Sequence, residues 1–257
     1  MATGRTVGSK YTRAYVDGHD LSGYVVSVGN LEYGFEPNEI ITLSDSVKGA
    51  YPGQCNIAIG DINAVLDTTA VSGFHTVLKS ASDAVRDVTI PIGIRAAPVN
   101  GDPAFCAQVS QNAYQAVVED GITTVNLDLG SWDERGDTKA YPYAWGNMIH
   151  VNGAETAANT STGELISGEG QTTAGGYMMW HCFPGSTGTV TLSIDDSTGG
   201  AFSSLVSTAQ LTQVATTAQS GIVALATTAT VDTDLRWQIA LGTASTTTFA
   251  LAFVRGR

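Results

Sequence analysis

Apolar and polar residues alternate along most of this chain in short runs broken by glycine, the period of two that half-buried strands require. Ala14-Tyr15-Val16 enters the turn Asp17-Gly18, and a second β-rich run follows over residues 24–28. Leu31, Tyr33 and Phe35 alternate with Glu32, Gly34 and Glu36, which predicts a strand with one apolar and one acidic face. Further strands are predicted over 56–60 and 88–94, the latter at an edge or bulge because Pro91 cannot donate to a ladder. Two more, over 105–118 and 123–129, are joined through Glu119-Asp120-Gly121, a strong hairpin turn. One segment has helical spacing instead. Phe74, Val77, Leu78 and Ala81 fall at i, i+3, i+4 and i+7 behind a capping Ser72, which predicts a short helix near 72–81 lying on a sheet.

Between residues 152 and 176 the period disappears, and few large apolar residues occur, so this stretch reads as a linker or long loop. Strands resume over 177–183, 189–194 and 221–226, with a turn from Asp195 to Gly200. The chain is therefore divided into a larger β domain over 1–151 with one helix, the linker, and a smaller β-sandwich over 177–257. The last segment, 234–257, reads as a hairpin closing that sandwich. Leu235, Trp237, Ile239 and Leu241 share one face of its first strand. In its second strand Phe249, Leu251 and Phe253 share a face, but the alternate positions are Ala250, Ala252 and Val254. A strand apolar on both sides is sandwiched between layers or between subunits. Burying its three large residues contributes roughly 5–9 kcal/mol at about 1.5–3 kcal/mol each.

Composition sharpens this picture. Charged residues are 14% of the 257, against roughly 25% in soluble proteins, and Gly, Thr, Ser and Ala take their place. Such a surface suits tight turns and close packing against neighbours. The net charge of −12 is spread along the chain and no basic cluster interrupts it, so the summed field repels nucleic acid. The N-terminal residues lack the apolar core of a signal peptide, and no window approaches a membrane span. Cys55, Cys106 and Cys182 fit no zinc or disulfide framework and are expected as small buried side chains in a reducing compartment.

Candidate chemistry is sparse. His181 and Cys182 are adjacent in sequence, but on a strand they point to opposite faces, so no thiol–imidazole pair is expected and His181 should be half-buried. His19 falls in a turn, His75 on the exposed side of the short helix, and His150 between Ile149 and Val151; no metal-ligand spacing links them. Asp195-Asp196 reads as a hairpin turn, with a calcium loop as the alternative. Asp133, Glu134 and Asp137 read as a solvated loop, and the triplet Asn159-Thr160-Ser161 matches a glycosylation acceptor without a secretion signal. No nucleophile elbow, phosphate loop or dinucleotide fingerprint appears, so no enzyme activity, cofactor or metal is expected.

The stretch Tyr15-Val16-Asp17-Gly18-His19-Asp20-Leu21-Ser22-Gly23-Tyr24 resembles the start of tail tube (major tail) proteins of long-tailed bacteriophages, where a first strand enters a V-D-G-x-D-L-S turn. Residues 42–54 are similar to the loop that in tube subunits reaches toward neighbouring rings, with Thr42, Asp45, Lys48 and Tyr51 as self-assembly candidates. Gly60-Asp61-Ile62-Asn63 then leads toward the helix, and the likeness covers roughly residues 10–130. The resemblance implies an all-β fold, a tail-tube-like β-sandwich or half-barrel followed by an outer C-terminal sandwich. It also implies homo-hexameric rings stacked into a tube, DNA passing through the lumen without specific binding, and contacts with tape-measure and tail-terminator proteins. The protein would be made in the bacterial cytoplasm and reside in the virion tail, with no membrane partner. Low surface charge and a negative field fit a self-packing conduit. Competing readings are a head-decoration or other virion sandwich protein, and a carbohydrate-binding sandwich acting in adsorption, with Tyr177 or Trp180 stacking on sugars.

Overall fold

A computed structural model describes residues 11–40, 49–70, 72–79, 85–93, 96–119, 121–131, 143–156 and 169–256. Among these the chain is mainly β with one small helix. The first half forms β1 (Tyr15–Val16), β2 (His19–Asp20), β3 (Val25–Ser27), β4 (Leu31–Ile40), β5 (Gly49–Val65), α1 (Phe74–Leu78), β6 (Val85–Pro91), β7 (Pro103–Glu119) and β8 (Ile122–Ser131). The second half adds β9 (Trp145–Glu155), β10 (Gly176–Cys182), β11 (Gly188–Ser197), β12 (Ser203–Ser207), β13 (Leu211–Gln213), β14 (Gln219–Ala224), β15 (Asp234–Leu241) and β16 (Thr247–Arg255).

The turns predicted at Asp17-Gly18 and after β7 form. Asp17 and Gly18 both have positive φ, 50° and 77°, and join β1 to β2 with Val16 opposite His19. Two consecutive left-handed residues match the right-handed twist of the flanking strands. The β7–β8 hairpin pairs from Glu119–Ile122 back to Val109–Ser131, with Gly121 at φ 80°. Strand β6 is not the edge or bulge that Pro91 predicts: β7 and β1 flank it in regular register, and Pro91 sits at its end, where the missing donor costs least. The helix is shorter than its spacing predicts: Gly73 rather than Ser72 is the N-cap and no side chain caps it. Ala81 lies outside the described residues.

Twelve strands form one curled sheet whose path runs β14-β10-β16-β9-β7-β6-β1-β2, while β8, β5, β4 and β3 branch from β7. A second sheet has β11 at its centre, flanked by β12 and β13 on one side and β15 on the other. Three apolar layers separate these walls. The first holds Val88, Ile90, Phe105, Val109, Ile59, Ile62, Leu127 and Leu129, closed by Phe74 and Leu78 of α1. The second lies between the two sheets and includes Trp180, Leu192, Ile194, Trp237, Ile239, Phe249, Leu251 and Phe253. The third fills the inside of the curl with Tyr15, Cys106, Met148, Tyr177, Met179, Ala250, Ala252 and Val254.

The closing segment is therefore not a hairpin. β15 pairs with β11 in the small sheet, whereas β16 pairs with β9 and β10 in the large one. The chain steps from one sheet to the other, so β15 and β16 face each other across the second core. The two apolar faces of β16 are used by two different cores of the same chain. Phe249, Leu251 and Phe253 enter the second, while Ala250, Ala252 and Val254 enter the third. The small side chains on that inner face let β16 approach Tyr15, Cys106 and Met148 closely.

The division at residue 151 is not a break in the sheet. It falls inside β9, a strand that the sequence reading passed over, which hydrogen-bonds both to β7 and to β16. Asp195 and Asp196, read as a turn, are the buried end of β11; the turn begins after Ser197. Residues 49–54, read as loop, are strand β5 paired with β4.

Candidate functional site

The V-D-G-x-D-L-S stretch builds a knot at the seam where the curled sheet meets itself. Asp17 accepts from the Asp87 amide (2.9 Å) and pairs with the Arg86 guanidinium (2.7 Å). Arg86 reaches on to Gln111 (3.1 and 2.9 Å), whose side-chain amide donates to the carbonyl of Leu78 at the end of α1 (2.9 Å). Asp20 accepts from Ser22 and from Asn152 of β9 (2.6 Å), and the Ser22 hydroxyl accepts from the Ala14 amide (3.0 Å). Leu21 is fully buried. Arg86 and Gln111 thus satisfy groups that burial would otherwise orphan, while the Asp20 bonds lie at the exposed rim of the seam.

Across the seam stands His181, which is fully buried rather than half-buried. Its Nδ1 accepts from the Gly18 amide (3.2 Å), and its Nε2 lies 2.9 Å from the Thr89 hydroxyl. An accepting Nδ1 leaves the proton on Nε2, so the ring is the neutral Nε2–H tautomer donating to Thr89. Burial and the neighbouring His19 lower its pKa to about 3. Next to His181 on β14, Ser220 donates to Asp87 (2.7 Å), which also accepts from Gln108 (3.0 Å). Burial raises the Asp87 pKa, and these two bonds oppose that rise.

The other uncommon feature is a projecting arm. Leu31, Tyr33 and Phe35 lie opposite Ile59, Ile57 and Cys55 on one face of the β4–β5 hairpin. Leu31, Tyr33 and Ile57 pack on the first core, but the next pair outward is past it, and Phe35 is 45% exposed. Strand β4 pairs only with β5, so its far edge carries no strand among the described residues. At the other end of β5, Val65 shares the outward face with Ile122 through the pairing Val65–Thr124. There Ile122 is 59% exposed, and Val118, on the opposite face of the β7–β8 tip, is 73% exposed. Val26 of β3 is exposed at the same end. From Cys55 to Val65 is roughly 30 Å along an extended strand.

Of the assembly candidates, Thr42, Asp45 and Lys48 lie outside the described residues, as do 133–137 and the Asn159 triplet. Tyr51 is on the arm, opposite Asn38 in the β4–β5 ladder. The sequence reading missed Phe35, Val118 and Ile122 as candidates. Their signal was present in the apolar alternation, but alternation does not say where a core ends.

The remaining chemistry resolves into packing. His181 and Cys182 do point to opposite faces, into the third and second layers. The Cys106 and Cys182 thiols are pushed up to about 12 by burial. His150 stacks on Phe249 (4.1 Å) and meets Trp237 edge-on, while its Nε2 lies 3.3 Å from Glu155. His75 is half-buried against the Tyr114 hydroxyl (2.8 Å) rather than on an exposed face. Asp195 binds Arg236 (3.1 and 3.0 Å), and Asp196 accepts from the Asp232 amide (2.9 Å), so both acids tie the end of the small sheet together instead of forming a calcium loop. Among the described residues no group of three His, Cys, Asp or Glu side chains is placed to hold a metal ion. Tyr177 and Trp180, the aromatics a sugar-stacking role needs, are buried; the Tyr177 hydroxyl donates to the carbonyls of Cys106 and Tyr143 (2.8 and 2.7 Å).

No protein-family model matches the chain, and no curated protein matches it. Among solved structures, it is similar to the SPP1 Dit protein, described as a paradigm of the hub adsorption apparatus in phages infecting Gram-positive hosts. That likeness has 12% identity, covers 94% of this chain and 98% of the other, and has a TM-score of 0.32. A structure of the Gx strain of infectious bursal disease virus is similar at 9% identity, covering 98% of this chain and 69% of the other, with a TM-score of 0.20. Likenesses of this size say nothing about function.

Proposed function

We propose that this chain is a non-enzymatic structural protein of a phage virion, and that it self-assembles into hexameric rings stacked as a tail tube. The observation that carries the reading is the set of uncovered apolar side chains at two well separated places along β5: Phe35, opposite Cys55 on the arm, and, at the β7–β8 tip, Ile122 on one face and Val118 on the other. Two different apolar surfaces set well apart on one chain favour head-to-tail contact between copies. Such heterologous contact builds rings or filaments rather than closed dimers. The resemblance of Tyr15 to Tyr24 to the opening of tail tube proteins supplies the choice of tube, hexamer and DNA conduit. In that reading the net charge of −12 keeps transiting DNA from adhering, tape-measure and tail-terminator proteins meet the tube at its ends, and the virion tail is its location.

Electron microscopy and analytical ultracentrifugation of the purified full chain test this. Rings or tubes are expected, lost in Phe35→Ser and in the double variant Val118→Ser/Ile122→Ser while circular dichroism stays native. A wild-type chain that remains monomeric at high concentration, or variants that assemble as well as wild type, would refute it.

A further inference from the structure

The seam between the two ends of the curled sheet contains a titratable group that no assembly role uses. In the path β14-β10-β16-β9-β7-β6-β1-β2, the terminal strands share no backbone ladder, yet their side chains touch. Gly18 and Thr89 from one end, and His181 from the other, form a single chain of bonds, with Ser220–Asp87 beside it. Gly18 is also wedged: a Cβ built on it would lie 2.4 Å from the Gln219 carbonyl oxygen, so the turn rests directly on the backbone of β14. The closure is made of side-chain bonds, and the imidazole is its central member.

We propose that this seam is a proton-operated latch, in which protonation of His181 at Nδ1 releases the Asp17-Gly18 turn from β10 and β14. The neutral ring has one acceptor and one donor, and both are engaged. A proton added at Nδ1 makes it a donor facing another donor, the Gly18 amide. The wedge against Gln219 leaves the turn no room to slide to a new partner, so the turn must lift away and hydrate.

On β1 and β2, Tyr15 lies 6.1 Å from the ring, and His19, itself desolvated, disfavours a second positive charge; its pKa is lowered by burial, so it also gains a proton on opening. Asp17 is committed to Arg86, and Asp20 bonds Ser22 and Asn152. On β6, Asp87 acts with the opposite sign. Its raised pKa means the closed seam holds a carboxyl proton more tightly, so acid near that raised value favours closure. From β7 comes Cys106, bonded to Thr89 with its thiol pKa pushed up; Met179 of β10 accepts from Thr89 (3.0 Å).

The sign follows from linkage. In the closed seam His181 has a pKa near 3; opened to water it returns to about 6.5. Closure is therefore fully favoured above 6.5 and weakened as pH falls below it. The equilibrium for opening rises about 25-fold between pH 7 and pH 5 from His181 alone.

Hydrogen exchange of the full chain at pH 7 and pH 5, read as protection factors corrected for intrinsic rates, tests the latch. The expected result is a fall on the order of 25-fold in protection at the Gly18 amide, with β15 unchanged. In His181→Asn, whose side-chain oxygen can replace Nδ1 as acceptor, the roughly 25-fold part of that fall should vanish and only the contribution of His19 should remain. Should this variant not fold, nitrogen chemical shifts of wild-type His181 supply the second measurement, expected to show the neutral Nε2–H tautomer persisting at pH 5. Equal loss of protection in β15, unchanged protection at Gly18, or a His181 that protonates near pH 6.5 in the folded chain would each overturn the proposal.

Discussion

Two Asp-Gly turns in this chain have the same left-handed glycine and different surroundings, which makes them a matched experiment. Gly18 has φ 77° and Gly121 has φ 80°. Replacing either by Ala places a Cβ in a conformation that costs about 1–2 kcal/mol. At Gly121 nothing lies within 4 Å of the added atom, so Gly121→Ala should cost only that strain. At Gly18 the Cβ would meet three backbone atoms of Gln219 between 2.4 and 2.8 Å. Backbone cannot rotate aside, so the turn must retreat by about 1 Å to reach an ordinary contact distance. That retreat stretches the bond from the Gly18 amide to His181, now 3.2 Å, beyond bonding range. A buried donor and acceptor left apart cost a further 1–3 kcal/mol or so. Gly18→Ala should therefore be less stable than Gly121→Ala by about 1–3 kcal/mol, measured as the difference in unfolding free energy by urea titration. If the two variants fall within about 0.5 kcal/mol of each other, the contact between the turn and β14 is not what holds the seam.

Four further substitutions probe the apolar layers and the seam. Leu251→Ala should lose about 2–5 kcal/mol by opening a cavity in the second core, and Ala252→Leu about 1–3 kcal/mol by overpacking the third. A neutral result for either in a denaturation series would mean that face of β16 is not core. Asp87→Asn should be at least as stable as wild type at pH 7, because burial disfavours the charged carboxylate; the advantage should shrink as pH is lowered from 7 to about 4, because the wild-type carboxyl takes up a proton more readily than an ordinary aspartate. Melting curves at the two pH values would refute this if the variant were clearly weaker at pH 7. Arg86→Met should be strongly destabilising, by about 3–5 kcal/mol, since it strands Asp17 and Gln111 in the seam; calorimetry showing less than 1 kcal/mol would reject that account.

Much of the local structure was legible in the sequence. Alternation marked Leu31, Tyr33 and Phe35 as one face, and Asp17-Gly18 and Asp120-Gly121 marked hairpins, because turn chemistry and side-chain period are set by near neighbours. The reading failed where a residue's role depends on a distant strand. β9 was passed over because Trp145 to Glu155 mixes buried Met148, Ile149 and His150 with exposed positions, a pattern that belongs to a strand contacting different layers along its length. Asp195 and Asp196 looked like turn residues because their partner Arg236 and the Asp232 amide come from about 40 residues away. The helix cap at Ser72 was chosen on type and position, but Gly73 is where the backbone turns.

By itself the sequence determined that this is a mainly β chain, low in charge, with a final strand apolar on both faces and an Asp-Gly turn at its start. It could not say what those faces meet. Period-two patterning reports that a side is buried and is silent about the partner, and a strand has two edges on which any sequence can pair. Only the tertiary structure decided that β15 and β16 separate into different sheets, that Ala250, Ala252 and Val254 face the inside of their own chain's curl, and that His181 closes on Gly18 across 163 positions. Those choices are made by long-range packing, where shape and buried hydrogen bonds select among arrangements that local propensity leaves equal.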